Sequence, residues 1–253
     1  MSESAGGTFL KIFLSLFSYG GIHSRLFDCL RSELGLLDQR KVKHVFKHVS
    51  DDALISRSRS KALSDFLRTD CDVYFALDHD IAWLPGDLLA TADMAHLKKC
   101  IVAGMYSVRG KAQGCAGRLY AACANIVPGK DELFEAEYIP GGFTAIPRLV
   151  AEEVLAYGAR ADLERDAPAA LSECIYNDGT SFWPFFGCFV VPSKVFPGKH
   201  EFLSEDWAFS ERARRASPAR AQYLWSKPLL AHYGEHGFMM VEAGQGGAPK
   251  PLY

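Results

Sequence analysis

Short apolar runs alternate with segments of helical periodicity through the first half of the chain. Four runs have the length and composition of buried strands: residues 9–17, 42–49, 73–77 and 100–108. Between them, apolar residues recur at helical spacing, which predicts three helices: one after residues 18–21 that extends to about residue 36, one within 50–69 and one over 84–99. This alternation predicts an α/β fold, with a mostly parallel sheet flanked by helices on both faces.

The second half of the chain has shorter apolar runs, separated by loops rich in glycine, proline and aromatic residues. We expect short strands and two further helices in five segments: 118–128, 133–139, 138–158, 202–216 and 221–238. Residues 159–180 are polar and predicted to be irregular, and the tail from Glu242 is predicted to be flexible. The chain contains no internal repeat and no clear linker, which favours one domain.

Composition narrows the classes of function. The 253 residues are 49% hydrophobic, enough for a sizeable core, and the formal net charge of −2 argues against a general affinity for nucleic acid. The seven cysteines form no C-x-x-C pair, so we expect neither a disulfide framework nor a zinc knuckle. Scattered thiols suit a reducing compartment, and we therefore expect a cytoplasmic location. The opening run is short and interrupted by Lys11, which indicates a strand rather than a signal peptide. No apolar stretch approaches the roughly 20 residues of a membrane span.

Acidic and aromatic residues follow the predicted strands at the point where each strand ends. Tyr19 follows the first strand, Asp51 the second, and Asp78 and Asp80 the third. In sheets of this class, ligands bind off the carboxyl ends of the strands. These side chains are therefore expected to meet in one crevice.

The triplet Asp78-His79-Asp80 lies between an apolar strand and a helix opened by Pro85. Residues i and i+2 of an extended chain share a face, so both carboxylates can address one hard cation. Mg²⁺ or Mn²⁺ would suit such a site, because it usually keeps positions open for phosphate oxygens. The alternative is a helix N-cap at one aspartate with a solvated neighbour.

Four segments, in order along the chain, resemble the nucleotide-sugar-dependent glycosyltransferases of the GT-A fold, in particular those like family 2. The segments are "DDALISRSRSKALSDFL", "DVYFALDHDIAWLPGDLL", "YIPGGFTAIPR" and "FLSEDWAFSERAR". The resemblance covers roughly residues 9–240. It implies a single GT-A (Rossmann-like) catalytic domain over residues 1–253, with three parts: a nucleotide-binding half at about 1–110, an acceptor-binding half at about 111–241 and the tail at 242–253.

The resemblance implies a divalent metal cofactor, Mn²⁺ or Mg²⁺. Asp80 would bind the metal directly, and Asp78 would contact the ribose or reach the metal through water. A late strand in many such enzymes supplies a third ligand, which places His232 in that role, with His236 as its rival. Imidazole is an acceptable ligand for Mn²⁺. The metal in such enzymes neutralises charge on the departing nucleoside diphosphate.

Residues of the first half are expected to bind the donor. At least one of Arg57 and Arg59 is expected to contact the diphosphate, because guanidinium forks suit phosphate oxygens. Tyr19 is placed to stack on the base. Asp51 or Asp52 could accept a hydrogen bond from a uracil ring or a ribose, or this acidic segment could simply cap a helix.

Gly141 and Gly142 precede a predicted strand. Consecutive glycines at such a position indicate either a tight turn or the close approach of a ligand. In the resemblance, their backbone borders the transferred sugar. His79, between the two aspartates, is grouped with the donor-binding residues.

Glu205 and Asp206 are the candidate catalytic pair. An inverting transferase needs a base that takes the proton of the acceptor hydroxyl. By resemblance Asp206 is that base and Glu205 orients the acceptor, whereas the alternative is two acidic residues favoured at a helix N-terminus. Trp183 and Trp207 could form an aromatic floor for an acceptor, or they could belong to the core.

The sequence therefore predicts a metal-dependent glycosyltransferase that uses a nucleotide sugar, by default a UDP-sugar, and a glycan or other hydroxyl acceptor. A nucleotidyltransferase would normally show a glycine-rich loop bearing Lys or Arg after the first strand, and "SYGGIHSR" is no close fit. A non-catalytic sugar-binding protein of this fold would be favoured by loss of Asp80 or Asp206, and both are present. The P-loop and G-x-S-x-G motifs do not occur.

Overall fold

The computed structural model describes most of the chain: residues 10–19, 21–50, 52–107, 116–119, 126–160, 170–176 and 178–233, and the backbone of Gly237–Met239. Its helices are α1 (Ser24–Gln39), α2 (Ile55–Leu67), α3 (Asp87–Lys98), α4 (Arg148–Gly158) and α5 (Glu205–Ala216). Its strands are β1 (Lys11–Ser18), β2 (Lys43–Ser50), β3 (Val73–Asp78), β4 (Ile81–Ala82), β5 (Ile101–Gly104), β6 (Arg118–Leu119), β7 (Leu133–Tyr138), β8 (Phe143–Pro147), β9 (Cys174–Ile175), β10 (Ser181–Phe182), β11 (Phe189–Pro192), β12 (His200–Leu203), β13 (Gln222–Trp225), β14 (Ala231–Tyr233) and β15 (Gly237–Met239). None of the helices in this described part of the chain has the length and apolar character needed to cross a bilayer.

The central sheet has eight strands in the order β2-β1-β3-β8-β5-β13-β7-β6. The pairs β1–β2, β1–β3 and β5–β13 are parallel. Strand β8 runs antiparallel to β3 and β5, and β7 runs antiparallel to β13 and β6. Within this sheet β7 and β8 alone oppose the common direction, which confirms the predicted mostly parallel α/β sheet. Because β8 lies between β3 and β5, the two halves of the chain share one sheet.

Side chains of the central strands alternate between two hydrophobic cores. In β1, Phe13 and Phe17 pack on one face of the sheet, and Ile12, Leu14 and Leu16 pack on the other. Residues of α2, α4 and α5 complete the first core, and residues of α1 and α3 complete the second. Burial on both faces explains why the strand reads as a continuous apolar run rather than an alternating one.

Some element boundaries differ from the sequence-based predictions. Helix α3 begins at Asp87, later than expected, because Gly86 adopts a left-handed conformation with φ 94° just before it. Strand β5 ends at Gly104, earlier than expected. Segment 159–180, expected to be irregular, contains β9, which pairs with β10. The predicted flexible tail, 242–253, lies outside the described residues.

A buried carboxylate of α1 fixes the start of α3. Glu33 is fully buried and accepts hydrogen bonds from the Trp83 indole N–H (3.2 Å) and from the backbone N–H groups of Gly86 (2.7 Å) and Leu89 (3.1 Å). The first backbone N–H groups of a helix have no partner within the helix, and a negative charge there is favourable. Glu33 therefore caps α3 from a distant element and ties it to α1.

Replacing Glu33 with glutamine is expected to lower the free energy of unfolding by about 2–3 kcal/mol, because at least one buried N–H group loses its charged acceptor. Urea unfolding followed by circular dichroism measures the change. Glu152→Gln is the matched control, since this carboxylate is 53% exposed and its ion pair with Arg148 is solvated. The control is expected to change the free energy of unfolding by less than about 0.5 kcal/mol. Equal effects of the two substitutions would contradict the capping role.

Candidate donor site at the carboxyl edge of the sheet

An open cleft with a volume of about 260 Å³ lies at the carboxyl ends of β1, β2 and β3. The first turns of α2 and α5 close its sides. The structure brings seven of the predicted site residues to its lining: Tyr19, Asp52, Arg59, Asp78, His79, Asp80 and Glu205. The strand ends and the two helix starts thus meet in one place.

The guanidinium of Arg59 lies at the centre of this site. Arg59 belongs to α2 and is only 3% exposed. Its Nη2 donates to Asp78 Oδ1 (2.6 Å), and its Nη1 donates to Glu205 Oε1 (3.3 Å). Burial by itself lowers the pKa of Arg59, but the charges of Asp78 and Glu205 outweigh it and hold the pKa above its ordinary value. Arg59 therefore joins the end of β3 to the start of α5.

Gly141 and Gly142 let the backbone pass close to this ion pair. A Cβ on Gly141 would lie 1.7 Å from Nη1 of Arg59, and a Cβ on Gly142 would lie 2.7 Å from the Tyr106 hydroxyl and 2.9 Å from Asp78 Oδ2. The backbone N–H of Gly142 donates to that hydroxyl (3.0 Å). Neither glycine has a positive φ. The close approach of side chains, rather than a special turn conformation, requires glycine at both positions.

Asp80 and His232 form a second polar pair beside Arg59. Asp80 is 7% exposed, and its Oδ2 lies 3.5 Å from Nε2 of His232. The pairing of β4 with β14 brings them together, because Ile81 lies opposite His232 and the backbone N–H of Tyr233 donates to the carbonyl of Asp80 (2.7 Å). Nδ1 of His232 lies 2.9 Å from the carbonyl oxygen of Ser107. A carbonyl only accepts, so Nδ1 of His232 carries a proton, and Nε2 on the other side of the ring faces Asp80.

The donor atoms around Asp80 fit part of a hard metal site. Among the described residues, no group of three or more His, Cys, Asp or Glu side chains is arranged to hold a metal ion. The predicted set of Asp78, Asp80 and His232 is not assembled in this part of the chain. Strand β3 ends at Asp78, the chain turns at His79 and Asp80, and Oδ1 of Asp78 is bound to Arg59. The carboxylate of Asp80 and the imidazole of His232, whose ring is oriented by its contact with Ser107, still fit Mg²⁺ or Mn²⁺. Such an ion can take its remaining ligands from phosphate and water.

The charged side chains that line the cleft make it acidic. Four carboxylates line the cleft, those of Asp52, Asp78, Asp80 and Glu205, together with the guanidinium of Arg59. Arg57, just outside the lining, neutralises Asp52, so four carboxylates and two guanidinium groups leave a formal charge of −2. A diphosphate carries charge of the same sign and is repelled by such a surface. A divalent cation between the carboxylates and the phosphates reverses this repulsion.

Arg57 is bound to Asp52 and is not among the residues that line the cleft. Its Nε (3.0 Å) and Nη2 (2.5 Å) donate to the two carboxylate oxygens, and its guanidinium lies 5.1 Å from the centre of the Tyr176 ring. The hydrogen bonds from Arg57 lower the pKa of Asp52 to about 2. Asp52 also accepts from the backbone N–H of Leu54 (3.0 Å), in the turn that leads into α2. Tyr19 is 70% exposed, so its ring face is open for stacking.

The two acidic residues at the start of α5 have different surroundings. Glu205 lines the cleft, and burial raises its pKa. Asp206 accepts hydrogen bonds at Oδ1 from the Ser204 hydroxyl (2.5 Å) and from the backbone N–H of Trp207 (2.8 Å). Asp206 and Gly141 also line a small, mostly apolar hollow of about 10 Å³ that is too small for a sugar ring. The carboxylate of Glu205 thus lies at the open cleft, whereas that of Asp206 is held by groups at the start of α5.

The two tryptophans of the predicted acceptor region differ in their contacts. Trp183 packs against the core on the α2 side of the sheet, and its backbone N–H donates to the Ser64 hydroxyl (3.0 Å). Trp207 stacks on Tyr138 with ring centroids 4.8 Å apart, and the guanidinium of Arg118 lies 5.5 Å from its ring. Both side chains are partly exposed. An acceptor role for either stays a prediction.

Two residues of the site were not predicted from the sequence. Tyr106 and Ser107 follow β5, and they contact Gly142 and His232. Burial raises the pKa of Tyr106 well above its ordinary value, so its hydroxyl stays protonated. Residues that directly follow a parallel strand are candidates for the site, so both would have been predicted if the sequence had shown where β5 ends. Two predicted candidates, Asp51 and His236, lie outside the described residues.

Comparisons with known proteins bear on the fold. No protein-family model and no curated protein matches the sequence. The crystal structure of A197 from STIV matches with a TM-score of 0.52 and 16% identity, over 95% of this chain and 98% of that chain. GalNAc-T7, solved with UDP, GalNAc and Mn²⁺, matches with a TM-score of 0.48 and 11% identity, over 96% of this chain and 46% of that chain. The likeness to A197 supports a shared fold, and neither likeness transfers an activity to this chain.

Replacing Gly141 with alanine is expected to lower the free energy of unfolding by about 2–4 kcal/mol, because the added Cβ displaces Arg59 and leaves buried charges unpaired. Urea unfolding measures the loss. Gly21→Ala is the control, since nothing lies within 4 Å of a Cβ added there. If both variants unfold at the same urea concentration, the close packing of Gly141 on Arg59 is wrong.

Proposed function

We propose that this protein is a metal-dependent glycosyltransferase that moves a sugar from a nucleotide-sugar donor, by default a UDP-sugar, to the hydroxyl group of an acceptor. The observation that carries the proposal is the acidic cleft at the carboxyl edge of the sheet, which Asp80 and Glu205 line, with His232 next to Asp80. Such a cleft accepts a nucleoside diphosphate together with a divalent cation and disfavours the bare anion.

Asp80 and His232 would hold the cation, and the remaining ligands would come from the diphosphate and water. When bound, Mn²⁺ or Mg²⁺ supplies charge neutralisation on the departing diphosphate. Asp78 is anchored by Arg59, so in this proposal it contacts the ribose or reaches the cation through water. Tyr19 stacks on the base at the exposed rim.

Of Arg57 and Arg59, only Arg59 is assigned a contact with the diphosphate in this proposal. Each guanidinium already has a carboxylate partner within the protein. Arg59 lines the cleft, so it remains the candidate for contact with the diphosphate, whereas Arg57 supports the Asp52 segment. His79 lies between the two aspartates on the cleft wall and would border the phosphates.

Transfer with inversion needs a base near the anomeric carbon. Asp206 takes this role in the proposal, because its charge acts on Arg59 and on Tyr106. These two side chains contact Gly141 and Gly142, whose backbone would border the transferred sugar. The acceptor oxygen bonds to the anomeric carbon, its proton passes to Asp206, and the nucleoside diphosphate leaves with the electron pair of the broken bond. Glu205, held by Arg59, orients the acceptor, and Trp207 offers it an aromatic surface.

Asp80→Asn is expected to weaken Mn²⁺-dependent binding of UDP by at least about tenfold, because a neutral amide replaces the carboxylate that holds the cation. Isothermal titration calorimetry with Mn²⁺ and with EDTA measures the difference. Asp70→Asn is the matched control, since Asp70 is 82% exposed and pairs with Lys11 at the opposite end of β1. Binding of UDP that is indifferent to EDTA, or equal in both variants, would contradict the metal role of Asp80.

Asp206→Asn is expected to lower turnover by about 10²–10⁴-fold while the affinity for UDP and Mn²⁺ stays unchanged, because the base is lost and the donor site is intact. The assay is release of nucleoside diphosphate from a panel of nucleotide sugars with Mn²⁺, alongside UDP calorimetry. Glu205→Gln is the companion variant and is expected to retain more turnover than Asp206→Asn. Normal turnover in Asp206→Asn with collapse in Glu205→Gln would move the base to Glu205.

A further inference from the structure

The hairpin of β11 and β12 projects an apolar surface away from the protein. One face of the hairpin is buried, with Val191 at 8% and Leu203 at 0% exposure. The other face shows Val190 (52% exposed) directly across from Phe202 (68% exposed). The strands alternate in this way because successive side chains point to opposite faces. A cross-strand apolar pair is thus left in contact with water.

The loop at the end of this hairpin continues the apolar surface. Val195 and Phe196 are each 65% exposed. The loop is ordered by Ser193, whose hydroxyl oxygen accepts from the backbone N–H groups of Val195 (3.2 Å) and Phe196 (3.0 Å), and whose backbone N–H donates to the carbonyl of Lys199 (2.9 Å). Exposed apolar groups that are held together in a built loop mark an interaction surface more than scattered ones do.

The charges around this surface are positive. Lys199 and His200 are exposed beside the apolar side chains. Lys194 is exposed as well and pairs with Glu137 (2.5 Å), a carboxylate that Arg118 also binds (2.7 Å). The acidic residue of the hairpin, Glu201, is drawn inward by Arg118 (2.8 Å) and by the Ser193 hydroxyl (2.8 Å). The outer rim of the hairpin therefore presents basic groups around an apolar centre.

We propose that this hairpin, residues 189–203, docks the protein on the surface of an anionic lipid bilayer. Val190, Val195, Phe196 and Phe202 enter the boundary between headgroups and acyl chains, and the basic rim meets the anionic headgroups. Interfacial membrane binding rests on this combination of buried apolar area and attraction to negative lipid charge. A globular partner would match the apolar pair equally well, but the basic rim favours the lipid surface.

Docking at this hairpin places the cleft at the bilayer. Strand β12 ends at Leu203, and Glu205 begins α5 two residues later. If the proposed function is correct, a lipid-linked hydroxyl is then the class of acceptor that docking would bring to the protein. The docking itself does not depend on the reaction in the cleft, so vesicle binding by a protein that transfers no sugar would leave the docking intact and reject only the proposed function.

Co-sedimentation with vesicles tests the docking. The full chain is expected to pellet with phosphatidylcholine vesicles that contain phosphatidylglycerol, and to pellet much less with phosphatidylcholine alone or at high salt. Phe196→Ser and Phe202→Ser are each expected to weaken binding by about tenfold, because each removes a phenyl ring from the apolar contact. Lys199→Glu is expected to weaken binding to the anionic vesicles while it leaves the small residual binding to phosphatidylcholine unchanged.

Leu97→Ser is the matched control, since Leu97 is 77% exposed near the end of α3, outside the hairpin. It is expected to bind vesicles as the unmodified chain does. Failure of the unmodified chain to pellet with anionic vesicles would overturn the proposal. So would equal binding by the hairpin variants and Leu97→Ser. Self-association in sedimentation velocity that the hairpin variants abolish, without vesicle binding, would assign the surface to a second copy of the chain.

Discussion

The ion pairs of the buried guanidinium of Arg59 are the interaction on which the site depends. Taking a lone cation out of water costs several kcal/mol, so Arg59 is tolerable inside only while Asp78 and Glu205 remain charged beside it. Those two carboxylates come from β3 and α5, which the resemblance assigns to the donor and acceptor sides. Because Arg59 is the counter-ion of both carboxylates, it holds the end of β3 and the start of α5 together. Gly141 has no side chain and so leaves room for the Arg59 guanidinium.

The ion pair between Arg59 and Asp78 gives Asp78 and Asp80 different surroundings. Because Arg59 engages Asp78, the proposed function assigns the cation to Asp80, whose neighbour His232 is oriented through Ser107. The cleft keeps an excess of negative charge even with Arg59 counted. In the proposed function, such a cleft would favour the cation-bound form of a diphosphate, and this preference would follow from net charge rather than from any single contact.

Local sequence was enough to predict most elements and the residues that follow them. Tyr19, Asp78 and Asp80 meet because each follows a parallel strand, and that rule needs only the strand positions. The sequence could not show the contact of Arg59 with Glu205, which are 146 positions apart. A helical pattern does not reveal how deep an arginine lies, so the sequence could not decide which of Arg57 and Arg59 would lie at the cleft. The antiparallel insertion of β8 and the cap from Glu33 are likewise decided by long-range packing.

The hairpin and the catalytic segment are mechanically joined, which gives the exposed surface a consequence for the cleft. Val191 and Leu203 of the hairpin share a small core with Tyr138 and with Ala208 of α5, and Trp207 packs against the same core. Packed cores transmit displacements because they have few voids to absorb them. A force on the hairpin therefore reaches the first turn of α5, where Glu205 lies against Arg59. Binding at the exposed face of the hairpin is therefore expected to affect the position of Glu205 relative to Arg59.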